Sequence, residues 1–240
     1  MRQQAMSGIS IFIKSYRNDF PFLRYCLKSI EKFVTGYNEI VVAIPEWDLN
    51  LFEDVMQGID IDVIVAPMQE YGDGYLYQQL VKMVSYQLCT EEFIMFVDSD
   101  CVFTGPVNIA PPDGYKPEIL MADYALVGGC IVWKAPTENW IGCPVNYEYM
   151  RRHPLVYRAS TLEALHASRP NLEQEIMSSG RFSEFNALGI WSHLNEPDNY
   201  RFTDTANWQP TNPIVRQFWS WGGLDACVNE IETLLNGEKG

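Results

Sequence analysis

Residues 93–103 read Phe-Ile-Met-Phe-Val-Asp-Ser-Asp-Cys-Val-Phe. Phe93 to Val97 is an apolar run without alternation. Such a run is expected of a central strand covered on both faces. At its carboxyl end the chain places Asp98 and Asp100. Residues two apart share a side while the backbone stays extended. Two carboxylates aimed together repel, and a divalent cation relieves that repulsion. Hard oxygen ligands suit Mg²⁺ or Mn²⁺, with open positions left for phosphate oxygens. The plainer reading is that aspartates after a strand form turns or cap helices.

Outward from this stretch the chain alternates strands and helices. Ile9 to Lys14 predicts a strand, and Asn18-Asp19 offers a cap with Pro21 in the first helical turn. Leu23, Cys26, Leu27, Ile30, Phe33 and Val34 then mark one helical face. Glu39 to Ile44 and Ile61 to Ala66 predict two strands, ended by Pro45 and Pro67. After Gly72-Asp-Gly74, the stripe Leu76, Leu80, Met83, Val84 and Leu88 predicts a second helix. The order strand, helix, strand, strand, helix, strand implies an α/β sheet with helices on both faces. Open sheets of this kind bind ligands outside the carboxyl ends of their strands. Lys14-Ser15-Tyr16 and Asp98-Ser99-Asp100 are therefore the places to look.

The second half is less regular. Leu126 to Trp133 predicts another strand, and Gly142 to Arg158, aromatic and basic, a loop. Ser160-Thr-Leu-Glu163 reads as a capping box opening a helix to Ser168. A short helix from Pro170 to Gly180, a helix over Phe182 to Leu194 and a loop from Pro197 to Pro213 follow. A last amphipathic helix runs from Leu224 to Leu235, stopped by Gly237. Without repeats or a linker, residues 1–240 are expected to form one domain.

Composition narrows the function classes. The chain has 240 residues, 47% of them hydrophobic, which suffices for a packed core and excludes a disordered chain. No apolar run reaches the ~20 residues of a membrane-spanning helix, so stable membrane insertion is not expected. The net charge of -14 disfavours double-stranded nucleic acid as a partner. Six cysteines without C-x-x-C pairs are expected to be reduced thiols. With no signal-peptide pattern at Met1 to Gly8, the expected location is cytoplasmic.

Several stretches carry a resemblance. Ile9 to Asp19 with Leu27-Lys-Ser-Ile30, and Phe93 to Phe103, resemble the opening and the D-x-D strand of GT-A glycosyltransferases. Gln78-Gln-Leu-Val-Lys82, Arg152-His-Pro-Leu-Val-Tyr157 and Phe182-Ser-Glu-Phe-Asn186 resemble a bacterial and phage subgroup of that family. The likeness spans roughly residues 9–190. It implies a GT-A-like, Rossmann-type mixed sheet flanked by helices. It also implies a Mn²⁺ or Mg²⁺ ion on the diphosphate of a nucleotide-sugar. Asp100 would then be the direct metal ligand, and Asp98 a contact to ribose or sugar and a second metal residue. Lys14, Ser15 and Tyr16 would touch the nucleoside, with about 1–104 the nucleotide-sugar-binding half of the domain and about 105–240 the acceptor-binding half.

Other candidates follow from residue type and setting. Gln79 and Lys82 lie three apart on one helical face and are candidate donor contacts, a lysine there supplying positive charge to donor phosphates or sugar. Its alternative is a solvated helix lysine. Glu184 is the candidate base for an acceptor hydroxyl in an inverting reaction; a surface glutamate is the alternative, and a retaining enzyme would not need it. His153 sits in the basic run Arg151-Arg-His-Pro154 and is a donor or acceptor contact, or a solvated loop residue. His193 is a candidate third metal ligand, with Asn195 or a residue near Trp208 as alternatives. Trp191, Trp208, Trp219 and Trp221 offer rings for sugars or bases, or fill the core. Trp219-Ser-Trp-Gly-Gly223 reads as a lid.

Together these imply a metal-dependent glycosyltransferase using a nucleotide-sugar, with UDP-sugars the commonest donors of D-x-D enzymes. The acceptor is open among a glycan, a lipid-linked sugar, a protein and a modified nucleobase. The alternatives are a nucleotidyltransferase, disfavoured because Lys14 to Asn18 holds no glycine, and a non-catalytic carbohydrate- or partner-binding domain.

Overall fold

The computed structural model describes residues 7–205 and 213–237. The strands are β1 (Ile9–Lys14), β2 (Val34–Thr35), β3 (Glu39–Pro45), β4 (Ile64–Met68), β5 (Phe93–Phe96), β6 (Cys101–Phe103), β7 (Val107–Asn108), β8 (Glu118–Asp123), β9 (Tyr147–Glu148), β10 (Leu155–Arg158), β11 (Arg201–Asp204) and β12 (Val215–Gln217). The helices are α1 (Phe20–Phe33), α2 (Leu49–Met56), α3 (Gly74–Met83), α4 (Lys134–Ile141), α5 (Ala159–Ser168), α6 (Leu172–Met177), α7 (Glu184–Asn195) and α8 (Val228–Asn236). The result is a mixed α/β fold. None of the described helices is long and apolar enough to cross a membrane.

The main sheet has the order β10-β5-β1-β3-β4. β5, β1, β3 and β4 run parallel, and β10 pairs antiparallel with β5. Side chains alternate between two cores, as the strand period of two requires. Phe12, Val41, Ala43, Ile94 and Phe96 face α3, α5, α6 and α7. Ile11, Ile13, Val42, Ile44, Met95 and Val97 face α1 and α2. Burial on both faces explains the unbroken apolar runs of β3 and β5. Successive parallel strands lie to one side of β1 (β3) and to the other (β5). The carboxyl end of β1 is thus the topological switch point of the sheet.

The expected strands and helices of the first hundred residues are present, with corrections: α3 ends at Met83 and the stripe to Leu88 continues through a 3-10 turn over Ser85–Gln87, β3 runs on through Pro45, and the short β2 is additional. α2 is additional to the expected elements: Phe52, Val55 and Met56 mark its buried face, but the exposed Leu49 and Leu51 blur that stripe in the sequence. β4 starts at Ile64 rather than Ile61 and runs through Pro67, which a sheet tolerates on an edge strand.

The second half departs further. Leu126 to Trp133 forms 3-10 turns instead of a strand, leaving Leu126, Ile131 and Val132 exposed. The expected loop at Gly142 to Arg158 contains β9 and the main-sheet strand β10. β11 lies inside the expected loop of Pro197 to Pro213 and pairs with β8. α5 begins at Ala159 and has no side-chain cap, so the capping box does not form. α6 is shorter than expected. α8 starts at Val228 and ends at Gly237, whose φ of 74° suits the left-handed cap. All six cysteines are free thiols.

Candidate active site at the strand ends

The two aspartates do not stay on one side of an extended strand. Cys101 N–H donates to the Asp98 carbonyl at 3.0 Å, closing a turn over Asp98 to Cys101. The turn sends the carboxylates to different partners.

Asp98 enters a cluster of charges. The Lys82 ammonium from α3 lies 2.7 Å from Asp98 Oδ1 and 2.8 Å from Glu184 Oε1. His153 Nε2 lies 2.9 Å from Asp98 Oδ2. The Lys82 and Glu184 side chains are 7% and 3% exposed, Asp98 27%. Burial disfavours every charge here, but the pairings outweigh it. Lys82 is driven up by Asp98 and Glu184. Asp98 is driven well below the usual carboxylate range by His153 and Lys82. Asp98 also raises His153, against burial. Lys82 further lies 4.9 Å from the Phe185 ring centroid, a favourable cation–π setting.

The local sequence fixes this cluster. Asp73 caps α3 by accepting from Tyr75 N and Leu76 N, which sets the helix phase. Gln79 and Lys82, three apart, then face α7 together. Gln79 Oε1 accepts from Glu184 N at 3.0 Å, satisfying one of the open amides at the start of α7. Ser183 caps the same end through Asn186 N. Gln79 therefore positions Glu184 from below; it had been expected to contact the donor.

Asp100 is separate. It accepts from Gln217 Nε2 at 3.1 Å and from Ser220 N at 3.0 Å. The β6–β12 pairing brings that segment alongside, with Gln217 opposite Cys101. Burial and the Asp98 charge push the Asp100 carboxyl up. Asp19 lies close by. Its carboxylate does not cap α1 as expected; Ser99 Oγ approaches it at 3.5 Å. Burial raises Asp19 as well, with a further push from Asp100 and Asp98. Sequence reading treated Asp19 as a cap and so missed it as a site residue.

Lys14 and Ser15 are buried at the end of β1, and Tyr16 is exposed. Lys14 Nζ donates to the Ser15 carbonyl at 2.9 Å and lies 3.6 Å from Glu70 Oε2, a partner the sequence did not single out. Burial lowers Lys14. The Ser15 hydroxyl is buried without a partner.

His193 lies apart from the expected metal set. Its ring shares a hydrogen bond with the Tyr149 hydroxyl at 2.8 Å and stacks on Phe202 at 4.4 Å. Its α7 position carries it past the end that bears Glu184. Asn195 Nδ2 donates to the Trp191 carbonyl. The neighbourhood of Trp208 lies outside the described residues. Among the described residues no group of three or more His, Cys, Asp and Glu side chains is arranged to hold a metal ion. Trp191 is buried in the core, whereas Trp219 and Trp221 are exposed. Trp219 has a φ of 43°, a strained value for a bulky residue.

The chemistry available is thus a buried carboxylate–ammonium–carboxylate–imidazole chain, with a second, less compensated carboxylate at Asp100. No protein-family model and no curated protein matches the chain.

Proposed function

We propose that the chain is a metal-dependent glycosyltransferase of the GT-A type, taking its sugar from a nucleotide-sugar donor, with UDP as the expected nucleoside diphosphate. The observation that carries this reading is the linked set Glu184–Lys82–Asp98–His153 at the carboxyl ends of parallel strands, next to Asp100. It joins a candidate base to two cationic side chains at the switch point, where a diphosphate-bearing ligand would lie.

The donor set fits a cation in part. Asp98 has both oxygens in ion pairs and is not the better ligand. Asp100 Oδ1 accepts from Gln217 and, at 4.0 Å, from the Cys101 thiol, and Oδ2 from Ser220 N–H; a carboxylate offers about four acceptor sites, so capacity remains. Mg²⁺ is commonly held by one or two carboxylates with waters and substrate phosphates, and Asp100 suits that mode without His193. A bound Mg²⁺ or Mn²⁺ would supply Lewis-acid stabilisation to the departing diphosphate.

The remaining roles fall to this chain's residues. Lys82 holds the Glu184 carboxylate through their ion pair, and that carboxylate would accept the proton of an acceptor hydroxyl. Gln79 fixes the backbone at Glu184. His153 and Lys82 hold Asp98 in place and offset the carboxylate charge at the strand ends. Lys14, Ser15 and Tyr16 line the end of β1, where the nucleoside would rest.

The test is transfer and hydrolysis of a panel of UDP-, GDP- and CMP-sugars with Mn²⁺. The reading expects turnover of one donor, loss of transfer by ~10²–10⁴-fold in Glu184→Gln with donor binding retained, and loss of metal-dependent binding in Asp100→Ala. Normal transfer by Glu184→Gln would remove the base assignment.

A further inference from the structure

Tyr75, Trp133 and Arg181 converge from three segments near the start of α7, which carries Glu184. Tyr75, in the first turn of α3, stacks on Trp133 with centroids 6.3 Å apart and planes 20° off parallel. The Arg181 guanidinium lies 5.6 Å from the Trp133 ring centroid. Tyr75 is 42% exposed and Arg181 is exposed, with Trp133 half-buried in contact with both, so the assembly lies at the surface.

Two observations separate it from scattered surface aromatics. First, Arg181 has no carboxylate or carbonyl oxygen in bonding range among the described residues, whereas Arg151, Arg158, Arg169, Arg201 and Arg216 each hold a carboxylate. An unpaired guanidinium stands out in a chain of net charge -14. Second, the group is tied to the candidate base. The Tyr75 hydroxyl donates to the Phe182 carbonyl at 3.1 Å, two residues before Glu184. Burial and the Glu184 charge push its phenol up. Arg181 is three residues from Glu184, so their Cα atoms lie at most ~11 Å apart. The group therefore sits beside the segment that carries the buried Glu184 carboxylate.

We propose that Tyr75, Trp133 and Arg181 form a binding platform for a sugar ring bearing an anionic group, a carboxylate or a phosphate. The ring's C–H face packs on the exposed aromatic surface, and Arg181 pairs with the anion through its planar fork. Calling that sugar the acceptor rests on the transferase reading above.

The test is ligand-observed NMR titration of the full chain with methyl β-glucuronide, glucose 6-phosphate and neutral methyl β-glucoside. The platform predicts that at least one anionic probe binds on the order of tenfold more tightly than the neutral one. Arg181→Gln should abolish that preference, and Trp133→Ala should weaken all three probes. The tighter of the two anionic probes identifies the anion. Equal binding of charged and neutral probes, no binding by any, or an unchanged preference in Arg181→Gln would overturn the proposal. A parallel titration with UDP and Mn²⁺ separates the two claims. Platform binding without nucleotide binding removes the transferase reading alone, and the reverse removes the platform alone.

Discussion

Replacing Lys82 by Met removes the one ammonium that sits between Asp98 and Glu184, at 2.7 and 2.8 Å. Met keeps most of the volume, so the loss is electrostatic. Asp98 retains His153 and is 27% exposed, so it stays partly compensated. The carboxylate at 184, 3% exposed, does not. Breaking a buried ion pair by removing one partner costs about 3–5 kcal/mol. An independent bound agrees. A stranded buried carboxylate takes up a proton, and doing so at pH 7 from an ordinary pKa of ~4.3 costs about 3.7 kcal/mol. At pH 5 the same step costs about 1 kcal/mol. A carboxyl raised in the folded state destabilises more as pH rises, so the deficit must grow from pH 5 to pH 7. Urea unfolding of wild type and Lys82→Met at both pH values, followed by tryptophan fluorescence, measures it. Adding Glu184→Gln to Lys82→Met should recover more than half of the deficit at pH 7. A deficit below about 1 kcal/mol at pH 7, or one independent of pH, would refute the reasoning.

Other consequences are equally specific. His153 is raised in the folded state, so its stabilisation is complete below ~6.5 and fades as pH rises through the folded value. The stability difference between wild type and His153→Gln should therefore be largest below that pH and shrink above it. Gly189 on α7 packs against Tyr149, whose Cβ and Cγ would stand 2.3 Å from an added Cβ. Gly189→Ala should cost about 1–3 kcal/mol or more, read as a lowered urea midpoint. Asp100→Ala removes the acceptor of Ser220 N–H, so hydrogen exchange at Ser220 should quicken on the order of tenfold. Unchanged exchange would mean that Asp100 does not hold the Trp219 segment.

The sheet was legible because β1, β3 and β5 are buried on both faces, and their apolar runs say so directly. α3 and α7 were legible through their periodic or apolar content. The failures share a cause. Leu126 to Trp133 is apolar but exposed, so composition pointed to a strand where the backbone only turns. β10 supplies a main-sheet strand from a basic stretch because Leu155, Val156 and Tyr157 pair with β5, a long-range contact invisible locally. At the site, Lys82, Asp98, His153 and Glu184 were each singled out separately. Their meeting depends on α3 and α7 packing together and on β10 lying beside β5, which no local pattern encodes. Asp19 looked like an ordinary cap, and Glu70 gave no signal.

The most direct test of the central claim is a tryptophan-fluorescence titration with UDP, GDP, ADP and CMP, each with and without Mn²⁺. The account predicts that one nucleoside diphosphate binds only with the metal, that Asp100→Ala abolishes the binding, and that Glu184→Gln retains it. Absence of binding by every nucleotide, or binding indifferent to both the metal and Asp100, would contradict it.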